Sequence, residues 1–432
     1  MTAVLSAPTS IIHAANRRIV PLADVVGADE CVPLATGETI GYANLDYAAS
    51  APALCEVARD VTEALGSYAS VHRGAGHLSQ ITTARYEAAR ETVRRFVRGR
   101  VDDAVVFTRG TTDSINLAAH ITDGDVVVLD IEHHANLLPW AAPRPDGTLR
   151  ARIVRAADTI EDTLAALDTE LASAPAALLA VTAASNVTGE VLPIGRLASI
   201  AHRHGARILV DAAQLVAHRP ISVVSHGIDY LVFSGHKVYA PFGAGVLIGR
   251  ADWLDAAEPY LAGGGATADV DVDVDGHAVT AWHSGPARHE AGSPNVLGAI
   301  SIAAACEAIS RIGFESIGQH EEELRARLDA GLADLDDVAV LQIFDDSTDR
   351  VGITGFDVAG HSPRGVAEYL SASAGIGVRD GKFCAHPLLK RLGFPSGAVR
   401  ASFGLGTGSD DVDRLVDAVS ALSAATTRAR IA

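Results

Sequence analysis

The chain has 432 residues, 48% of them apolar and 20% charged, which is too much chain for one compact core and an ordinary charge content for a globular enzyme. Its formal net charge of -18 repels phosphate backbones and anionic bilayers, so neither nucleic acid nor a membrane is expected as a partner. Cys31, Cys55, Cys306 and Cys384 are far apart and show no CxxC or Cys/His zinc spacing, so they read as reduced thiols of a cytoplasmic protein, with no metal site.

Residues 1–40 are weakly periodic and read as an extension that contributes to or packs on a smaller domain. The opening MTAVLSAPTSIIHAANRR lacks the basic cluster and apolar core of a signal peptide. A helix is predicted over 82–97, TTARYEAARETVRRFV, from apolar positions three or four apart. Short apolar runs then alternate with helical segments: DAVVFT, DVVVLDI, AALLAVTAA, ARILVDAA, DYLVFSG and GAGVLIG. This alternation predicts an α/β domain over 41–297 whose mainly parallel sheet is covered on both faces. The last two runs are too close for a crossover helix and are expected to pair antiparallel. GGGATADVDVDVDG, Gly263–Gly276, reads as a loop or hairpin strand. Its DVDVDG resembles the start of a calcium loop, but Trp282 stands where the bidentate glutamate belongs. Val296–Ile312 is apolar, short and interrupted by Glu307, so a buried helix is expected there rather than a membrane span. The remaining pattern, over 298–432, predicts a smaller α+β domain.

Ligands of open α/β sheets sit beyond the carboxyl ends of the strands. The residues after five of the runs are RGTTDSIN, EHHANLLPW, SNVTGE, DAAQ and SGHK. Gly110, Thr111 and Thr112 precede a helix pattern and suit a phosphate, although a routine turn and cap has the same composition. Asp211 is either a helix cap or a carboxylate that keeps a pyridine nitrogen protonated, and Gln214 is within reach of a phenolic oxygen. His133 is flat enough to stack on a ring. Lys237, beside a buried strand end and a glycine turn, suits a Schiff base, because a desolvated amine is a better nucleophile. Together these groups imply pyridoxal 5′-phosphate (PLP), whose ring is an electron sink.

The motifs NLDYAASAPA, VHRGAGHLS, TRGTTDSIN, EHHANLLPW, SNVTGE, VDAAQ, FSGHK, RHEAGSPN and RASFG resemble the class V aminotransferase family of fold-type I PLP enzymes, most closely its group II cysteine desulfurases and selenocysteine lyases. The resemblance runs from Asn44 to Gly404, and it implies a large domain with the mainly parallel, seven-stranded type of sheet and a smaller α+β domain. It implies that Lys237 holds the cofactor aldehyde, Asp211 pairs with the pyridine nitrogen, Gln214 with the phenolic oxygen, and His133 stacks on the ring. Thr111, Thr112, Ser234 and His236 would hold the phosphate, and Asn186 would lie near the cofactor oxygen and the substrate carboxylate. Ser293 would reach the phosphate of a second subunit, which implies a homodimer. Arg400 would clamp the substrate α-carboxylate, with Arg379 and His72 nearby. Cys384, in GVRDGKFCAHPLL, aligns with the loop that carries the desulfurase nucleophile. The implied reaction converts L-cysteine to L-alanine and passes sulfur through Cys384 to an acceptor, which can be a protein. The group II loop reads R-x-G-H-H-C, whereas this chain has R-D-G-K-F-C, leaving Lys382 or His386 as proton donors. That departure keeps a C–S β-lyase, a selenocysteine lyase, an aminotransferase or an epimerase as alternatives. A non-catalytic scaffold is disfavoured by the intact Lys237, Asp211 and His133.

Overall fold

The structure, a computed structural model, describes residues 17–143 and 150–431. Residues 1–16 of the extension lie outside that range. Seven strands form the main sheet: β1 (Asp103–Thr108), β2 (Val126–Leu129), β3 (Ala151–Val154), β4 (Leu178–Thr182), β5 (Arg207–Asp211), β6 (Tyr230–Ser234) and β7 (Gly245–Arg250). Their spatial order is β1-β7-β6-β5-β4-β2-β3. Neighbours from β3 to β6 are parallel, and β7 is antiparallel to both β6 and β1, as the short β6–β7 connection requires.

The longer helices of this region are α1 (Cys55–Leu65), α2 (His77–Phe96), α3 (Thr111–Ile121), α4 (His134–Ala141), α5 (Ile160–Ser173) and α6 (Ile194–Arg203), and a short one, Ala251–Asp255, follows β7. The strands alternate between two covered faces. Val127, Leu179, Ile208 and Leu231 join one core, while Val126, Val128, Leu178, Leu209 and Val232 join the other. Each such side chain contributes about 1.5–3 kcal/mol when fully buried. Helix α7 (Val296–Ile312) packs on α1 and α2 in the first core and is buried almost all round, as its composition predicts. No single helix among the described residues is long and apolar enough to cross a membrane.

A second, antiparallel sheet is built from β8 (Val338–Val340), β9 (Ile353–Val358), β10 (Arg379–Gly381) and β11 (Ala398–Ser402), ordered β8-β9-β11-β10. It shares a separate core with α8 (Phe314–Ala333), α9 (Pro363–Ala374) and α11 (Ser409–Ile431). The short α10 (His386–Arg391) lies between β10 and β11 in the chain. Extension residues Leu22 and Ala23 donate to the carbonyl of Leu405, and Ala35 donates to that of Ala372.

The acidic segment forms an exposed hairpin, Thr267–Val272 with Ala278–Trp282. At its tip Asp273 accepts the backbone N–H groups of Asp275 and His277, which is the work of a turn-forming aspartate.

Candidate active site

The carboxyl ends of β1, β4, β5 and β6 and the start of α4 open on one cavity of about 1040 Å³. Residues of the β10–α10 connection and of β11 close it from the other side. Beyond Ser234 the chain makes a tight turn, Gly235–Lys237, which aims Lys237 into the cavity. Its amine has no hydrogen-bond partner among the described residues. Burial pushes its pKa down to about 8, against the pull of Asp211. About a tenth of it is therefore the neutral amine at pH 7, far more than an ordinary lysine offers.

Asp211 ends β5 and is buried. One oxygen accepts the Ala213 N–H at 3.0 Å, and the other has no partner among the described residues. Burial raises the pKa of this carboxyl, and Lys237 offsets part of the rise. Gln214 also lines the cavity, with its amide donating to the Ala48 carbonyl at 2.9 Å. His133 caps α4: its Nδ1 accepts the Ala135 N–H at 3.0 Å, which leaves the proton on Nε2. Burial first, and Lys237 second, push His133 down to about 4, so the ring is neutral. His236 is held at about 4 for the same two reasons.

At the other end of the cavity Gly110 starts α3 without a capping side chain, and the helix offers first-turn N–H groups that have no intrahelical acceptor. Thr111 donates through both its N–H (2.8 Å) and its hydroxyl (2.9 Å) to Ser234 Oγ, so these two residues form one polar cradle with Thr112 beside them. A Cβ on Gly245 would lie 2.4 Å from Gly110 Cα, so only glycine at the start of β7 allows this approach.

Arg400, on β11, is buried. Its Nη1 donates to the Asn186 carbonyl at 2.8 Å and its Nη2 to Asp46 at 3.1 Å, while Nε is buried without a partner among the described residues. Burial lowers the pKa of Arg400, and the Asp46 carboxylate opposes that shift. The Asn186 side chain donates to the Phe383 carbonyl at 2.7 Å, and the Phe383 ring lies 5.2 Å from the Arg400 guanidinium. Phe383 and Cys384 are consecutive residues in the left-handed region, with φ of 51° and 52°, each a strain of about 1–3 kcal/mol that surrounding contacts must hold. Cys384 is exposed and lines the cavity, and Arg379 does the same at the rim.

Residues 43–415 match the family described as aminotransferase class-V. The chain belongs to that family. A cysteine desulfurase from Klebsiella pneumoniae (strain 342) is 37% identical over 369 residues, covering 81% of this chain and 85% of that protein. One from Cronobacter sakazakii is 38% identical over 397 residues, covering 89% and 94%. The apo structure of a cysteine desulfurase from Thermococcus onnurineus NA1 superposes with a TM-score of 0.80 at 34% identity, covering 89% of this chain and 95% of that one. Class V aminotransferases and cysteine desulfurases are PLP-dependent, and this chain is an enzyme of that kind.

The residues present fit the cofactor. An amine with no hydrogen-bond partner and a buried carboxylate with one free oxygen, both among the described residues, share one cavity with a neutral planar imidazole and a helix N-terminus. His72 and Ser293 do not line it. His72 is exposed and bonded to Glu87 at 2.9 Å, and Ser293 is exposed. Arg73, the neighbour of His72, donates to the carbonyl of Gly292, the neighbour of Ser293, so these two segments are tied to each other. The family motifs did not single out Asp46 as the partner of Arg400. Nor did they single out Glu132, a buried carboxylate pushed up to about 8 by burial, which accepts from Asn136 (2.7 Å) and the Thr182 N–H (3.0 Å). The four-residue spacing from Glu132 to Asn136, and on to Trp140, was the available helical signal.

Proposed function

We propose that the protein is a cysteine desulfurase acting on L-cysteine, with Cys384 as the sulfur-accepting thiol. The reading rests on one observation: Cys384 and the unpartnered Lys237 amine line the same cavity. PLP, when bound, supplies an electron sink for charge that develops at the substrate Cα. Lys237 would hold the cofactor aldehyde and move the Cα proton. Asp211 would face the positive pyridine nitrogen, Gln214 the phenolic oxygen, and neutral His133 the ring face. Thr111, Thr112, Ser234, His236 and the first turn of α3 would take the phosphate. Arg400, held by Asp46 and Asn186, would bind the α-carboxylate, with Arg379 at the rim. The Cys384 thiolate would then attack the substrate sulfur. A sulfur–sulfur bond forms and the carbon–sulfur bond breaks, the electron pair stays with the carbon skeleton, and that skeleton gains a proton and leaves as alanine. A second thiol, on an acceptor molecule or protein, removes the sulfur.

The proposal extends to a cytoplasmic homodimer in which Ser293 and His72 serve the partner's site. It also includes a division into 41–297 and 298–432, with residues 1–40 attached to the smaller part. The test is a product assay on PLP-loaded protein with L-cysteine and a reductant. Alanine with matching sulfide is expected. Pyruvate and ammonia would instead make the protein a C–S β-lyase, and neither product would exclude cysteine as substrate.

A further inference from the structure

We propose that His134 and His386 are positioning residues that clamp the Cys384 loop onto the start of α4, docked while both imidazoles are neutral and released on their protonation. The inference deepens the proposed role of Cys384 and rests on it.

Two consecutive left-handed residues, Phe383 and Cys384, form the centre of a turn closed by the Ala385 N–H donating to the Lys382 carbonyl at 2.8 Å, and contacts from outside the turn anchor it. Upstream, the Asn186 amide takes the Phe383 carbonyl. Downstream, the contacts come from one histidine. The His134 backbone N–H donates to the Cys384 carbonyl at 2.8 Å, and His134 Nε2 accepts the His386 backbone N–H at 3.5 Å. The two imidazoles meet edge to face, with centroids 4.5 Å apart and planes at 69°. His386 stands two residues after the nucleophile, in a loop that lacks the two histidines of the group II pattern before it.

The geometry needs a particular proton count. Accepting at Nε2 places the His134 proton on Nδ1. A second proton removes the lone pair that takes the His386 N–H and sets two cations edge to face. His134 is half-buried, and its pKa is lowered by burial and then by His386, so the docked form favours the neutral ring. The other titratable groups around the pair are His133 (ring centroids 6.4 Å away) and the loop's Lys382 and Cys384. Glu132 is engaged by Asn136 and Thr182. On α10, Lys390 is exposed and Arg391 is tied to Asp130 and Asp158.

Hydrogen exchange of the amides at 382–386, read on PLP-loaded protein at about pH 8 and about pH 5 and corrected for intrinsic rates, tests the clamp. The wild-type loop is expected to lose protection about tenfold at the lower pH, and His134→Ala, which keeps the backbone donor but lacks the imidazole, to show that reduced protection at both. His386→Leu removes one charge and keeps the backbone donor, so it is expected to stay protected at the higher pH and to show less than about half the acid response. A wild-type loop with equal protection at both pH values overturns the clamp. So does a folded His134→Ala protein whose loop is as protected as the wild type, or a His386→Leu protein with the full acid response. Alanine is assayed on the same samples. A pH-responsive loop without alanine retains the clamp and removes the desulfurase reading, whereas alanine with a pH-independent loop does the reverse.

Discussion

Lys237 makes the sharpest demands on experiment. Its amine titrates near 8 rather than at the ordinary 10.5, because burial outweighs the nearby Asp211 carboxylate. The rate at which apoprotein takes up PLP, followed by absorbance, is expected to climb through about pH 8 and level off above it. The same shift carries a stability consequence. Between about 8 and 10.5 the unfolded chain keeps a proton that the folded chain has released, so the urea midpoint of the apoprotein is expected to rise with pH across that window. Lys237→Ala should show no covalent cofactor mass after borohydride reduction. Cys384→Ala should retain the cofactor and lose sulfur-coupled alanine by a factor of at least about 100. Cys306 is no substitute nucleophile, being buried with its thiol pKa raised by that burial. Lys237, Asp211 and His133 were legible because each follows an apolar run, and strand ends share an edge. Asp46 was not, since its partner Arg400 lies 354 positions away and only the fold joins them.

Elements were legible where their core side is continuous. VVVL, LLAVT and YLVFS are buried throughout and announce parallel strands. β3, an edge strand reading ARIV, buries only Val154 and interrupts its apolar residues with Arg152, so no run marks it. β10, the three residues Arg379–Gly381, owes its strand conformation to β11, which it borders. The β7–α3 contact shows how one element places another. Gly245→Ala would force the new Cβ into the Gly110 backbone, and a loss of about 2–4 kcal/mol is expected, read as a lower denaturant midpoint. Phosphate affinity should fall with it, because Gly110 is the cap from which the first turn of α3 starts.

The large sheet and the smaller one are joined by buried charge. Glu190, just after the SNVTG turn beyond β4, accepts the N–H groups of Ile343 (2.8 Å) and Phe344 (3.0 Å). Glu321 on α8 accepts from Arg219, which also donates to the Arg350 carbonyl. Glu190→Ala strands two buried donors, so unfolding free energy is expected to drop by about 2–5 kcal/mol, measurable by chemical denaturation. Phe383 adds a joint of another kind. Its ring rests over Arg400, whose Nε is buried with no acceptor. Asn186 ties the two together, its side chain donating to the Phe383 carbonyl and its own carbonyl accepting from Arg400 Nη1. Carboxylate binding at Arg400 and the seating of the Phe383 turn thus share one residue, and their coupling is reciprocal: the factor by which a seated loop changes carboxylate affinity is the factor by which the carboxylate changes the seating.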